Sequence, residues 1–352
     1  MKSILVLAQS YPSPENIYNL AFVHSRNLEY QKKNVKVTVL NFSAKSNYIY
    51  EGINVVSPDS ILEFSQYDSV VSHAPNIRNH ILFLFKNLTK IRKIVFIFHG
   101  HEVLEVGKYY PKPYKWEKST ENSFFRWFYD KIKLKILNKI LNSDKVSIIY
   151  VSEWMRSEAN KCLKASYSSK EIIVHNPINY SFYERKYKYK ESENYSDFIT
   201  IRPLNGSKYA VDLVVALAKA NPSLSFDIYG RGDYFLHNDL PKNVRHIDKF
   251  IPQNSIPDLL DNYKAVVMPT RLDAQGVMMC EMASYGIPTI VSDLPVCHEM
   301  LDGFSNVYFI KNDDFFNKKI NILDLIPLSQ FEQVDRFNPE ELALKELSFI
   351  LS

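Results

Sequence analysis

The chain has 352 residues, 46% hydrophobic and 23% charged, with a formal net charge of +4. That length exceeds one ordinary core and suits two domains of about 150 residues each, while the composition excludes a mainly disordered protein. The mild charge makes no case for nucleic-acid binding. Three cysteines without metal-ligand spacing, Cys162, Cys280 and Cys297, predict a reduced, cytoplasmic protein.

The first apolar run, SILVLAQ (3–9), is too brief for a signal-peptide core and reads as a strand. No later run approaches the ~18 apolar residues of a membrane span. Further strands are predicted at 34–42, 69–74, 93–100, 146–152 and 171–177. Helix-length stretches separate several of them, such as 16–33, where Leu20, Val23 and Leu28 follow the helical period. Strands alternating with helices predict right-handed βαβ units and a parallel sheet.

The segment 108–141 carries nine basic and three acidic residues, with Phe124, Phe125, Trp127 and Phe128 interleaved. A basic helix with a wide aromatic face can lie in an anionic membrane interface. The same pattern also fits a domain helix whose apolar side is core and whose lysines are solvated.

A polar stretch, NYSFYERKYKYKESENYSD (179–197), is the best linker candidate. After it the alternation restarts, with strands at 198–202, 224–230, 244–250 and 265–270 and helices at 210–220 and 255–263. At the end of the chain, Asn338 as N-cap, Pro339 at the first helical position and Glu340 and Glu341 behind it open a last helix. No internal repeat, GxxxxGK[ST] or GxGxxG element occurs, against P-loop and dinucleotide readings.

Only nine glycines occur, and five of them (Gly206, Gly230, Gly232, Gly276, Gly286) fall within one 81-residue stretch, 206–286. A chain this sparing with glycine keeps it where positive φ or close backbone approach is needed. Three elements end predicted strands there: RPLNGSK with Arg202 and Lys208, IYGRG with Gly230, and LDAQG leading into a helix at Gly276. In an open parallel sheet the loops after strand C-termini share one edge, where ligands bind. An arginine, a lysine and a helix N-terminus make a site for a diphosphate. Glu281 could accept from vicinal hydroxyls, as on a ribose, and Asp273 could meet the hydroxyls of a sugar. The plainer reading keeps Asp273 as a helix cap and Glu281 as an exposed helical acid.

The stretch DAQGVMMCEMASYGIPTIVSD (273–293) resembles the signature of the family-4 retaining glycosyltransferases of GT-B fold: acid, seven residues, acid, then a helix and G-x-P-x-x-x-S-D. RPLNGSKYAVDLVVALAKANPSLSFDIYGRG, VSEWMRSEA, VHNPIN and FIFHGHE are similar to further family passages, in order. The resemblance implies two Rossmann-like domains facing across a cleft, with residues 1–178 as acceptor domain, 179–334 as donor domain and 335–352 as a helix returning to the first. It implies that Arg202 and Lys208 neutralise the departing diphosphate. Gly276, Val277 and Met278 would cap phosphates and sugar, Glu281 would hold the ribose and Asp273 the donor sugar. His99 would sit near the anomeric centre. Gly230 and the loop of Phe250, Ile251 and Pro252 would border the nucleotide, and Asn19, Phe22 and His24 the acceptor. Fixed positive groups can stabilise such a leaving group without a metal, and no Asp-x-Asp pair is present.

Two departures stand out. Asp273 is one methylene shorter than the family's common glutamate, and the glycine pair expected after the first strand is missing, with Asn19 near its place. His99 and His101 also invite a metal reading, but no third ligand follows at a sensible spacing. The resulting expectation is a metal-independent, cytoplasmic glycosyltransferase. It would move a sugar from a nucleoside diphosphate, taken as UDP, to a glycan or lipid-linked glycan in surface-polysaccharide synthesis. A non-catalytic nucleotide-sugar-binding homologue and a GT-B epimerase are the alternatives.

Overall fold

The computed structural model describes residues 1–14, 16, 19–117, 124–164, 169–191, 193–325 and 334–352. The chain divides into two compact units, Met1–Val106 with Phe124–Pro177 and Pro339–Ser352, and Gly107–Ser123 with Ile178–Asn338.

The first unit is built on β1 (Ser3–Ala8), β2 (Lys36–Asn41), β3 (Tyr48–Tyr50), β4 (Ile53–Val56), β5 (Ser69–His73), β6 (Ile94–Phe98), β7 (Val146–Tyr150) and β8 (Lys170–Ile173). Their spatial order is β3-β4-β2-β1-β5-β6-β7-β8. All neighbours run parallel except β3 and β4, which form a hairpin. Every residue of β1, β5, β6 and β7 is buried, which is why β1 and β6 read as near-continuous apolar runs. The hairpin was not expected. Its strands are short, and its turn rests on Glu51 and Gly52, both at positive φ (44° and 79°), as a tight hairpin requires.

The last helix, Pro339–Leu351, belongs to the first unit. Its Glu346 accepts from Arg26 Nε at 3.1 Å, both side chains fully buried, and Arg26 Nη1 donates to Asn176 Oδ1 at 2.7 Å. Ser69 Oγ donates to the Ile350 carbonyl at 2.7 Å.

The second unit holds β9 (Phe198–Ile201), β10 (Phe226–Tyr229), β11 (Val244–Ile247), β12 (Ala265–Met268), β13 (Thr289–Ser292) and β14 (Val307–Ile310). They form a parallel sheet in the order β11-β10-β9-β12-β13-β14. The order reverses between β9 and β12, so the loops after these two strands diverge and open a crevice. β14 escaped sequence reading because it is four residues long and mostly half-buried.

Two segments differ from expectation. The stretch 179–197 is no free linker: Phe182 is fully buried, the Tyr187 N–H donates to Tyr285 O at 2.8 Å, and Arg185 pairs with Asp258. Its aromatics anchor it to the second unit. Residues 107–117 likewise belong to that unit, where Tyr114 and Trp116 pack against the core of Phe198, Leu213, Phe226 and Tyr234. The basic segment 108–141 is thereby split: its helix, Phe124–Leu141, lies in the first unit, and 118–123 lie outside the described residues.

Candidate active site

At the switch point between β9 and β12 a pocket of about 160 Å³ is lined by Arg202, Tyr209, Asp273, Gly276, Val277 and Met278, among others. The structure thus brings together five of the residues singled out from sequence. Arg202 leaves the end of β9 and is buried. One guanidinium nitrogen, Nη1, donates to the carbonyls of Tyr209 and Pro269, and Nη2 contacts Met268 Sδ at 3.6 Å. Burial pushes its pKa down to about 10, opposed by the charge of Asp273. The arginine therefore ties the two loops together as well as placing a cation beside them.

Asp273 combines both readings of the sequence. Its Oδ1 accepts the N–H groups of Gly276 (2.8 Å) and Gln275 (3.2 Å), fixing the loop ahead of the helix Val277–Tyr285. Oδ2 has no hydrogen-bond partner among the described residues, and Asp273 lines the pocket. Gly276, at φ 72° and ψ 60°, caps that helix without any side-chain acceptor. A Cβ there would fall 2.8 Å from Met279 Cε, in a conformation L-residues rarely adopt. The N–H groups of Val277 and Met278 are the orphan donors of the helix start, with the positive end of its dipole behind them.

Glu281 is not the exposed acid of the plainer reading; it is buried, with 2% exposure. Oε1 accepts from Gln253 Nε2 at 2.6 Å and from the Asn179 N–H at 3.2 Å. Burial raises its pKa to about 7, with these two hydrogen bonds acting in the opposite direction. Gln253 follows Phe250, Ile251 and Pro252, so the loop expected to border the base is tied to the acid expected to hold the ribose. Phe250 is 47% exposed.

Lys208 lies in the same loop as Arg202, but its ammonium stands over the ring of Tyr209 (4.8 Å to the centroid) and near that of Tyr110 (5.9 Å). No carboxylate pairs with it among the described residues, so its charge is open to an anion. The loop is held from behind. Arg271 N–H donates to Lys208 O at 3.0 Å, while its guanidinium binds Ser207 O at 2.9 Å and clamps Asp212 at 2.8 and 2.5 Å. Gly230, expected at the nucleotide, has another duty: a Cβ would lie 1.9 Å from the Arg202 carbonyl oxygen, so the glycine lets two strand-end loops touch.

In the first unit His99 follows β6. Its Nε2 lies 3.2 Å from His73 Nδ1 in a shared hydrogen bond, its backbone N–H donates to Glu102, and the Phe22 ring meets it edge-on at 4.9 Å. Burial pushes both histidines well below the usual range, so the pair is neutral near pH 7. His99 thus pairs with His73, not with the exposed His101 of the metal reading. Of the acceptor-side trio only Phe22 is brought to His99. His24 is committed elsewhere, to Tyr11 Oη at 2.8 Å and Glu51 Oε2 at 3.1 Å. Asn19 sits in the turn before the helix Ala21–Lys32, and the next residue, Leu20, is left-handed (φ 50°, ψ 41°).

Sequence reasoning missed Gln253, Asp212, Arg271, His73 and Tyr114. Asp212 lies inside a quoted passage, Arg271 just before one and Gln253 directly after the loop 250–252, while the pairings of His73 and Tyr114 arise through tertiary folding alone.

Residues 199–324 match the family described as Glycosyl transferases group 1. A search of curated proteins finds no match. Among solved structures, the sucrose-phosphate synthase from Thermosynechococcus elongatus aligns with a TM-score of 0.64 at 12% identity, over 100% of this chain and 95% of that one. Trehalose-6-phosphate synthase OtsA gives 0.65 at 9% identity, over 99% of each chain. HepE from Anabaena, solved in complex with UDP and glucose, gives 0.60 at 12% identity, over 100% of this chain and 97% of that one. At such identities the likeness is one of fold. The second unit accordingly contains a glycosyl transferase group 1 domain, and the chain is a glycosyltransferase built from the two parallel-sheet α/β units of the GT-B fold.

Proposed function

We propose that the chain transfers a sugar from a nucleoside diphosphate to a hydroxyl of a glycan or lipid-linked glycan, with retention and without a metal, in surface-polysaccharide synthesis of the capsule or O-antigen type. The observation that carries this reading is the convergence of Arg202, Asp273 and the uncapped helix start at Gly276 in one pocket at the switch point. UDP is the proposed carrier, in line with the UDP and glucose held by the HepE structure.

In this scheme the bond from the anomeric carbon to the phosphate oxygen breaks as the acceptor oxygen bonds to that carbon. The acceptor proton passes to the departing diphosphate on the same face. The helix N–H groups of Val277 and Met278, the Lys208 ammonium and the Arg202 charge meet the developing negative charge. Asp273 Oδ2 takes a sugar hydroxyl, and Glu281, as carboxylate, takes the ribose. Neutral His99 hydrogen-bonds near the anomeric centre.

Membrane contact is part of the proposal. On the helix Phe124–Leu141, Phe124 and Phe125 are 73% and 82% exposed, with Trp127 and Phe128 also exposed beside Lys131 and Lys135. This composition suits an anionic lipid surface. No helix among the described residues is long and apolar enough to cross a membrane.

The test is a thermal-shift series with UDP and UDP-sugars, followed by product analysis of the most stabilising donor. A ligand bound at 100 times its Kd stabilises by about 2.7 kcal/mol. Absence of any shift with every nucleoside diphosphate and nucleotide sugar would overturn the reading.

A further inference from the structure

Beside the loop of Lys208 the second unit holds an open cleft of about 520 Å³, lined by Tyr110, Pro111, Trp116, Lys208, Asp233 and His237 among others. Its size is that of a small-ligand site. We propose that it is a carbohydrate subsite, holding one neutral pyranose ring of the acceptor next to the diphosphate. The acceptor's identity rests on the proposed glycosyl transfer; the binding of a sugar ring does not.

The walls are preformed. Residues 110–117 lie across the loop that follows β9 and are fixed at both backbone and side chain. Glu117 accepts the N–H groups of Gly206 (2.5 Å) and Tyr114 (3.0 Å), and Ser207 Oγ donates to Lys112 O at 2.7 Å. Tyr114 Oη donates to Asp212 Oδ1 at 2.7 Å, and the Tyr114 ring stacks on Trp116 at 4.8 Å. Trp116 in turn stacks on His237, 5.0 Å between centroids at 18°. A wall so tied needs little ordering when a ligand arrives.

The lining also sorts the ligand by chemistry. Proline and aromatic surfaces suit the C–H face of a sugar ring. The Asp233 carboxylate makes no hydrogen bond or ion pair among the described residues, although its own N–H is held by Asn205 Oδ1 at 2.8 Å. It is a free acceptor for hydroxyls. Lys208, whose charge is committed to the diphosphate, forms the shared edge. A free carboxylate over apolar walls suits a neutral polyol. A second phosphate would be repelled by Asp233, and an apolar ligand would leave the carboxylate unanswered. Lys208 borders this cleft and its neighbour Tyr209 borders the pocket of Asp273, so the two spaces share one wall.

The test uses the full chain saturated with UDP and probed by saturation-transfer NMR with methyl α-glucoside, methyl α-galactoside and methyl N-acetyl-α-glucosaminide. At least one glycoside gives transfer to the wild type. Asp233→Asn and His237→Ala, both at exposed positions, weaken that binding by about tenfold while UDP affinity stays unchanged. No transfer from any of the three glycosides, or equal transfer in all three proteins, overturns the subsite. Loss of UDP binding with glycoside binding retained would instead sink the donor reading and leave the subsite standing.

Discussion

Gln253 donates its side-chain amide to Glu281 across 2.6 Å, joining the loop after β11 to the helix that follows β12. The bond matters because Glu281 is buried and its pKa rises to about 7. The folded chain therefore holds a proton at this site that the unfolded chain has lost above the usual 4.5. Stability from this group is present below about pH 4.5 and falls as pH rises through about 7, by about 3 kcal/mol. Denaturation across that window checks it: Glu281→Gln should flatten this part of the profile. In the proposed role Glu281 receives ribose hydroxyls as the carboxylate, so UDP affinity should rise with pH over the same range, with proton release on binding measurable by calorimetry in two buffers.

Lys208→Ala should leave the fold intact, because the ammonium touches only aromatic faces. Turnover should fall by about 10² to 10³, the usual cost of losing one group aimed at developing charge. Steady-state kinetics with the best donor checks this; unchanged turnover would remove Lys208 from the donor site.

The two glycines should separate cleanly. At Gly276 an alanine Cβ meets the flexible end of Met279, so Gly276→Ala should cost about 1–2 kcal/mol, chiefly for its left-handed backbone. At Gly230 the Cβ would collide with the Arg202 carbonyl at 1.9 Å. Gly230→Ala should therefore cost well over ~3 kcal/mol or prevent folding of the second unit. Urea unfolding of both variants decides the order.

Lys164 closes the helix Glu153–Leu163 in a left-handed conformation (φ 58°, ψ 27°), exposed to solvent. Lys164→Gly should stabilise the protein by about 1 kcal/mol, as glycine takes this position without Cβ strain. A lower urea midpoint in the variant would refute this.

For lipid contact the informative changes are Phe125→Ser with Lys131→Gln and Lys135→Gln, all exposed. Lys133 is unsuitable, because it is buried, pairs with Asp130 at 2.9 Å and donates to the carbonyls of His101 and Leu104. Co-sedimentation with vesicles rich in phosphatidylserine should drop by about tenfold or more for the triple variant, since each basic residue near such a surface contributes about 1 kcal/mol. Undiminished sedimentation would remove this helix as the anchor.

Much of the architecture was legible because buried parallel strands such as VSIIY and AVVM stand as apolar runs between helical periods. The donor loops were legible for a related reason: scarce glycines and lone charges at strand ends mark the sheet edge where ligands bind. The rest was set by partners distant along the chain. Nothing near Tyr114 announces that it will bond Asp212, 98 residues away, and nothing near His73 announces His99. The stretch 179–197 looked like a linker because its charges outnumber its apolar residues, yet one buried phenylalanine and a few backbone bonds hold it down.

Leu20, the neighbour of Asn19 near which the expected glycine is missing, occupies a left-handed turn. A turn of that hand costs a leucine about 1–2 kcal/mol, which the surrounding fold sustains. The bend is therefore set by the packing around it and not by a residue that favours it, so a glycine at this position would follow the same path of the chain with the strain removed.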